Sequence, residues 1–115
     1  MVKTYVPAQG DIVMLQFHPQ RGREQSGMRP ALVLSPEKYN GKVGLMLACP
    51  ITSKAKGYPF EVALPTGMKT HGVVLADHVK SLDYGARGVK FVESMPREAL
   101  QQVLLKLQLL MREEE

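Results

Sequence analysis

The chain has 115 residues, with 15 Lys and Arg against 11 Asp and Glu, one Cys and no Trp. This length fits a single domain, 1–115, with a modest core and disfavours a two-domain cofactor enzyme. No apolar run approaches the ~20 residues that cross a bilayer, and Met1–Pro7 lacks the hydrophobic stretch of a signal peptide. Cys49 has no partner for an internal disulfide, so we expect a cytoplasmic protein.

The positive charge is unevenly distributed along the chain. Residues 1–92 carry a net charge of +6, whereas residues 93–115 carry −2. A basic body favours a polyanionic partner such as nucleic acid. Many unrelated proteins are equally basic, so charge alone does not distinguish a nucleic-acid-binding protein from a basic protein without such a partner.

Apolar runs separated by turn residues predict short strands over most of the chain. We expect them at 12–17, 31–34, 45–49, 60–64, 72–76 and 78–82, with a weaker strand at 89–92. Pro50 is expected to end the third of these strands. Ser35 is expected to cap one helical turn that begins with Pro36, and Asn40-Gly41 predicts a turn.

The hydrophobic period changes to that of a helix near the end of the chain. An apolar stripe recurs there at steps of three and four residues, at Leu100, Val103, Leu104, Leu107, Leu110 and Met111. This predicts an amphipathic helix over 95–112, capped by Ser94. We interpret the stripe as core packing, with a subunit contact as the alternative where Leu105 and Leu109 widen it. Strands followed by one helix predict a bent β-sheet or barrel whose rim loops carry function.

The common catalytic and metal-binding motifs are missing from the sequence. There is no Walker loop and no GxSxG, HExxH, CxxC or GxGxxG pattern. One Cys and the scattered His18, His71 and His78 do not supply the four ligands of a structural zinc site. We therefore expect no metal and no cofactor, and we interpret the histidines as surface or packing residues.

Two segments place polar groups beside predicted buried strands. In residues 24–30, Arg29 directly precedes such a strand, and its guanidinium suits phosphate by charge and by bidentate geometry. The alternative is an ion pair with Glu24. Residues 50–57 carry two hydroxyls and two lysines within five positions, which suits a phosphodiester. The alternative is an ordinary solvated loop.

Five motifs in chain order resemble the MazF/PemK toxins, from about residue 5 to the terminal helix. They are Gly10-Asp11; Glu24-Gln25-x-Gly27-x-Arg29-Pro30-Ala31-Leu32-Val33-Leu34-Ser35; Pro50-x-Thr52; Lys56-Gly57-Tyr58-Pro59-Phe60-Glu61-Val62; and Gly72-Val73-Val74-Leu75-Ala76-Asp77-His78-Val79-Lys80-Ser81. The resemblance implies a mainly β fold, an SH3-like β-barrel with small helices and a C-terminal amphipathic helix. It also implies a homodimer, held inactive by an antitoxin of the MazE kind whose acidic C-terminal segment covers the RNA-binding groove.

The same resemblance implies an mRNA interferase, a ribosome-independent and metal-independent endoribonuclease acting on single-stranded mRNA. The family's catalytic Arg and Thr fall on Arg29 and Thr52, and cleavage leaves a 2′,3′-cyclic phosphate and a 5′-hydroxyl. We expect Glu24 to orient Arg29 or the 2′-hydroxyl. An ACA-like site is the sequence preference expected by similarity. The residues expected to bind RNA are Phe17, Gln25, Lys54, Lys56, Asp77, His78 and Lys80.

Each contact type has a physical reason. An aromatic ring at Phe17 would stack on an unpaired base, with a core aromatic as the alternative. Lysines would hold the phosphates, while Asp77 and His78 would contact base edges. Two rival functions use the same fold: a non-catalytic SH3-like module that binds nucleic acid or a protein, and a toxin that inhibits gyrase.

Overall fold

The computed structural model describes residues 5–17 and 27–114. The strands are β1 (Asp11–Gln16), β2 (Met28–Val33), β3 (Met46–Thr52), β4 (Glu61–Ala63), β5 (Val73–Leu75), β6 (Lys80–Leu82) and β7 (Lys90–Ser94). The helices are α1 (Glu37–Val43), between β2 and β3, and α2 (Arg97–Leu110), after β7. Glu24, Gln25 and His18 lie outside the described residues.

The strands pair antiparallel in the order β4-β5-β3-β2-β1-β7, and β6 also pairs with β3. One edge of β3 is shared, because Met46–Ala48 faces β6 whereas Ile51–Thr52 faces β5. The predicted β-rich fold with a C-terminal helix is confirmed. The described pairings leave β4 and β7 at open ends, so the predicted closed barrel is not confirmed.

The two faces of the sheet bury two apolar clusters. Side chains alternate along a strand, so Ile12 enters one cluster and its neighbour Val13 enters the other. The stripe of α2 packs on the first cluster and buries Val103 completely. Core packing is therefore confirmed for Leu100, Val103, Leu104 and Leu107. It is wrong for the end of the stripe, because Leu110 and Met111 are exposed, as Leu105 and Leu109 are. Burial of each large side chain contributes about 1.5–3 kcal/mol to stability.

A buried polar network overrides the turn predicted at Asn40-Gly41, because both residues lie inside α1. The Asn40 amide donates to the carbonyl oxygens of Pro7 at 2.8 Å and Ser35 at 3.1 Å. The Ser35 hydroxyl donates to Asn40 Oδ1 at 2.6 Å and accepts the N–H of Leu47 at 2.8 Å. Ser35 is thus committed to tertiary contacts, and the predicted Ser35 cap is wrong: Pro36, predicted as the first helical residue, takes the N-cap position of α1.

Two further boundaries differ from the predictions for backbone reasons. Strand β3 does not end at Pro50 but continues to Thr52, with Pro50 opposite Ala31. Proline lacks an N–H but accepts an extended conformation, so a strand passes through it where no ladder donor is needed. Ser94 is the last residue of β7 rather than a helix cap, and Pro96 takes the N-cap position of α2.

Within residues 5–17 and 27–114, neither helix combines the length and apolar character that a membrane span requires.

Candidate functional site

Arg29 and Thr52 lie on adjacent strands, at the same end of the sheet. The register of β2 against β3 pairs Ala31 with Pro50, so Arg29 and Thr52 each lie two residues beyond this pair, at the same end of the two strands. Both side chains line a groove of about 470 Å³, referred to below as the groove. Its wall also includes Phe17, Lys54, His78 and Lys80. The structure thus brings together six of the residues that the sequence predicts for the site.

The Arg29 side chain is exposed and available to a ligand. Its guanidinium makes no hydrogen bond or ion pair with any other residue of the described part of the chain. Because Glu24 lies outside that part, the predicted ion pair with Glu24 stays a prediction. An uncommitted guanidinium in an open groove retains its donors for a phosphate.

Thr52 is held in place by the strand on its other side. It pairs with Val73 in β5, and Gly72 precedes that pair with a φ of +121°. A Cβ atom at Gly72 would lie 2.1 Å from the Thr52 carbonyl oxygen, so only glycine permits this approach. The Thr52 Oγ1 atom accepts the N–H of Lys54 at 3.1 Å. The hydroxyl hydrogen is still available to donate to a phosphate oxygen.

Phe17 packs in the core and also lines the groove. It is 4% exposed and belongs to the second apolar cluster, as the core-aromatic alternative expects. The Lys80 ammonium lies 5.6 Å from its ring centroid, within the range of a cation–π contact. The Arg87 guanidinium donates to the carbonyl oxygens of Phe17 and Gln16, which ties the end of β1 to the turn after β6. Stacking of Phe17 on a base stays a prediction.

Lys56 and Asp77 lie outside the groove, in an adjoining space. This space, called the hollow below, has a volume of about 250 Å³ and is lined by Lys56, Tyr58, Glu61 and Asp77 together with Thr52, Lys54, Leu75 and His78. Sequence reasoning missed Tyr58 and Glu61 as lining residues, although it quoted their motif without assigning it a role. It also missed His71, which lines the groove.

The described residues provide neither a reactive thiol nor a cluster of metal ligands. Burial, together with a smaller contribution from the charge of Asp77, raises the pKa of Cys49 to about 12. The thiol is therefore protonated at neutral pH and donates weakly to the Ala76 carbonyl at 3.6 Å. Among the described residues, no three His, Cys, Asp or Glu side chains meet as candidate metal ligands.

Known proteins resemble this chain over nearly its whole length. The chain is 47% identical to the "Endoribonuclease toxin MazF" of Escherichia coli K12 over 110 residues, covering 96% of this chain and 98% of the relative. MazF of Deinococcus radiodurans superposes with a TM-score of 0.85 at 55% identity, covering 94% of this chain and 98% of the other. A MazE–MazF complex from the same organism gives 0.84 at 50% identity, with 94% and 97% covered. Residues 8–111 also match the model of one family. The chain therefore belongs to the PemK-like, MazF-like toxins of type II toxin–antitoxin systems.

Proposed function

We propose that this endoribonuclease toxin cleaves single-stranded mRNA in the groove, independently of the ribosome and of a metal ion. The observation that carries the proposal is that Arg29 and Thr52, from two adjacent strands, line one groove, with the guanidinium uncommitted among the described residues. Lys54 and Lys80 add positive charge along the same wall. Such a surface attracts the phosphates of a single strand.

In the proposed reaction, the 2′-hydroxyl next to the scissile phosphate is the nucleophile. A bond forms between the 2′-oxygen and phosphorus, and the bond from phosphorus to the 5′-oxygen breaks. The proton that the 2′-hydroxyl loses is balanced by the one that the departing 5′-oxygen takes up, both exchanged with water. The products are a 2′,3′-cyclic phosphate and a 5′-hydroxyl. Because the nucleophile belongs to the substrate, the protein has two tasks: to align the attacking and leaving oxygens and to stabilise the charge on phosphorus.

Arg29 stabilises that charge through two parallel N–H donors, and the Thr52 hydroxyl donates to a phosphate oxygen. A guanidinium keeps its proton at neutral pH, so we assign Arg29 to charge stabilisation rather than to proton abstraction. Glu24, outside the described residues, is proposed to orient Arg29 or the 2′-hydroxyl. Gln25 is proposed among the RNA contacts, and an ACA-like triplet is the proposed preference.

Two partners are proposed besides RNA. A second copy of the chain forms a homodimer, and a cognate antitoxin covers the groove with an acidic segment. The groove's positive charge and the existence of a MazE–MazF complex in a similar protein support the antitoxin. The split pairing of β3 supports an SH3-like barrel as the arrangement of a single domain, 1–115. The buried, unpaired thiol of Cys49 suits the cytoplasm as its compartment.

The test is cleavage of a long RNA in EDTA, with the ends of the products mapped. Arg29→Ala should lower kcat by about 10²-fold to 10³-fold, as expected when one preorganised donor is lost. Arg97→Ala, an exposed residue of α2 outside the groove, is the matched control and should cut normally. Wild-type rates for Arg29→Ala would refute the assignment. Binding without cutting by the unaltered protein would favour the non-catalytic module.

A further inference from the structure

The loop between β4 and β5, residues 64–72, brings to the groove a side chain to which the proposed function assigns no role. His71 lines the groove together with Arg29 and Thr52, and it is exposed. The next residue, Gly72, approaches Thr52 so closely that an added Cβ atom would lie 2.1 Å from the Thr52 carbonyl oxygen. His71 is therefore one peptide bond away from a contact with the residue proposed to touch the scissile phosphate.

Contacts at the ends and in the middle of this loop keep it folded against the sheet. The two ends are joined because the N–H of Leu64 donates to the carbonyl oxygen of Gly72 at 3.0 Å. Between them, the Met68 side chain packs against the first apolar cluster. These two contacts hold the loop in place, but the direction in which residues 69–71 run into the groove depends on a third.

That third contact comes from Glu93 of β7, which accepts two successive backbone N–H groups. Its Oε1 atom accepts the N–H of Lys69 at 3.1 Å, and its Oε2 atom accepts the N–H of Thr70 at 2.8 Å. Glu93 is itself fixed in the sheet, where it lies opposite Ile12 of β1. Hydrogen bonds to an ionised acceptor are stronger than those to a neutral one. The carboxylate therefore sets the course of the chain immediately before His71.

The His71 ring makes no hydrogen bond or ion pair within the described part of the chain, so its N–H groups are available to a ligand. The other charged or titratable side chains on the described wall of the groove come from β2, β3, the turn before β6 and β6 itself; they are Arg29, Lys54, His78 and Lys80. All of them attract an anion or are neutral. A strand bound along this wall therefore presents its phosphates to His71 as well.

We propose that His71 donates a hydrogen bond to a phosphate of the bound RNA, and that Glu93 positions His71 for this contact. The inference rests on the proposed function, because the strand reaches His71 only if it lies in the groove at Thr52. His71 touches the substrate, whereas Glu93 acts through the loop and is a positioning residue. A phosphate contact reads no base, so it adds affinity at any sequence.

This contact predicts that affinity depends on pH. Histidine changes its charge between about pH 5 and pH 8, whereas lysine and arginine side chains keep theirs. An imidazolium forms a charge-assisted hydrogen bond with a phosphate, so the bound strand favours the protonated ring. Affinity therefore rises as pH falls through this range. His78 contributes to the same rise, and the part that belongs to His71 is the part lost when His71 is replaced.

The experiment measures Kd by fluorescence anisotropy with oligo-dA and oligo-dT, which lack the 2′-hydroxyl and are not cleaved. It is carried out at about pH 5.5 and about pH 8, at the two ends of the histidine range. His71→Gln keeps an N–H donor but cannot become charged. It should weaken binding by about threefold to tenfold at the lower pH and by about twofold or less at the higher pH, equally for both oligonucleotides.

Glu93→Gln should produce a loss of the same kind, because its amide offers one acceptor oxygen where two N–H groups need two. Although burial acts in the opposite direction, the N–H groups of Lys69 and Thr70 and the charge of Lys69 lower the pKa of Glu93. The carboxylate is therefore ionised at both pH values. A change in pH dependence on its replacement reports on His71 and not on titration of Glu93.

The double variant separates positioning from a structural role. If Glu93 acts through His71, then His71→Gln with Glu93→Gln should bind as His71→Gln alone does, whereas independent effects would add. Glu98→Gln is the matched control, because it removes the same charge from an exposed position on α2 that does not line the groove. It should bind as the parent does. Circular dichroism checks that each variant is folded.

Parent-like affinity of His71→Gln at the lower pH, or additive losses in the double variant, would overturn the proposal. A loss confined to one oligonucleotide would also overturn it, because His71 would then contact a base. Weakened binding of a poly-glutamate peptide with unaltered oligonucleotide binding would assign His71 to an acidic protein segment instead. Cleavage is scored separately on RNA. A parent that fails to cut but shows these binding differences would refute the nuclease and leave the phosphate contact standing.

Discussion

Gly72→Ala tests whether the glycine that directly precedes β5 sets the position of Thr52. The added Cβ would lie 2.1 Å from the Thr52 carbonyl oxygen and 2.8 Å from its carbonyl carbon. Real Cβ atoms do not approach closer than 3.0 Å, so the oxygen contact is about 0.9 Å too short. Both obstructing atoms are backbone, and relief therefore requires that β3 and β5 separate.

Two energies combine in this substitution. A non-glycine residue at a φ of +121° costs about 1–3 kcal/mol of backbone strain. The forced separation adds about 1–3 kcal/mol, as overpacking of a tight site does. The total of about 2–6 kcal/mol is large against a stability of about 5–15 kcal/mol. The same movement displaces Thr52 by nearly 1 Å, which costs about 10²-fold in cleavage rate when a reacting group is misplaced.

Gly67→Ala separates the two energies, because Gly67 has a φ of +90° but nothing within 4 Å of the added Cβ. It should carry the strain without the clash. Thermal unfolding should place Gly72→Ala below Gly67→Ala by about 4–8 °C for each kcal/mol of difference. Single-turnover RNA cleavage at low temperature, with folding checked by circular dichroism, should fall in Gly72→Ala alone. Equal Tm values and equal rates in the two variants would refute the role of Gly72.

Two further predictions address charge. Lys56→Gln should make the plot of log affinity for RNA against log salt concentration shallower by about one unit. Lys38→Gln on α1 is the control and should leave this slope unchanged. Equal slopes in the two variants would show that Lys56 makes no phosphate contact. Burial would raise the pKa of Glu93, but the N–H groups of Lys69 and Thr70 and the Lys69 charge lower it overall. Its stabilisation is therefore present above the ordinary pKa of 4.5 and is lost as pH falls through the lowered value. Because the carboxylate is partly solvated, Glu93→Gln should lower the free energy of unfolding by about 1 kcal/mol or less near neutral pH and leave it unchanged in strong acid. A Tm difference between the two proteins that stays constant with pH would contradict this.

The proximity of Arg29 and Thr52, the proposed catalytic pair, was predictable because each member lies beside a strongly patterned strand. Arg29 precedes the apolar run from Ala31, and Thr52 follows the run that ends at Cys49. Antiparallel pairing of those runs brings the two residues to one end of the sheet. Their proximity follows from local pattern plus one long-range pairing.

The features that were missed depend on contacts between distant residues. Asn40 forms part of a helix because Pro7, 33 positions away, accepts its amide, and no local signal encodes that contact. The hollow likewise depends on Lys106 reaching Pro59 from α2, 47 positions along the chain. Turn propensity at Asn40-Gly41 is a weaker effect than leaving a buried amide unpaired, which costs about 1–3 kcal/mol.

Asp77, which makes no hydrogen bond within the described residues, lies beside a cationic groove, so it affects the affinity for nucleic acid and the selectivity for bases in different ways. Arg29, Lys54 and Lys80 attract any phosphate backbone, so they cannot select a sequence. A carboxylate in the same field repels that backbone, and its presence lowers affinity unless a donor-bearing base meets it. Asp77→Asn should therefore tighten binding to oligo-dT while it weakens the preference for oligo-dA. An equal gain for oligo-dT and oligo-dA would mean that Asp77 only moderates the charge of the groove and reads no base.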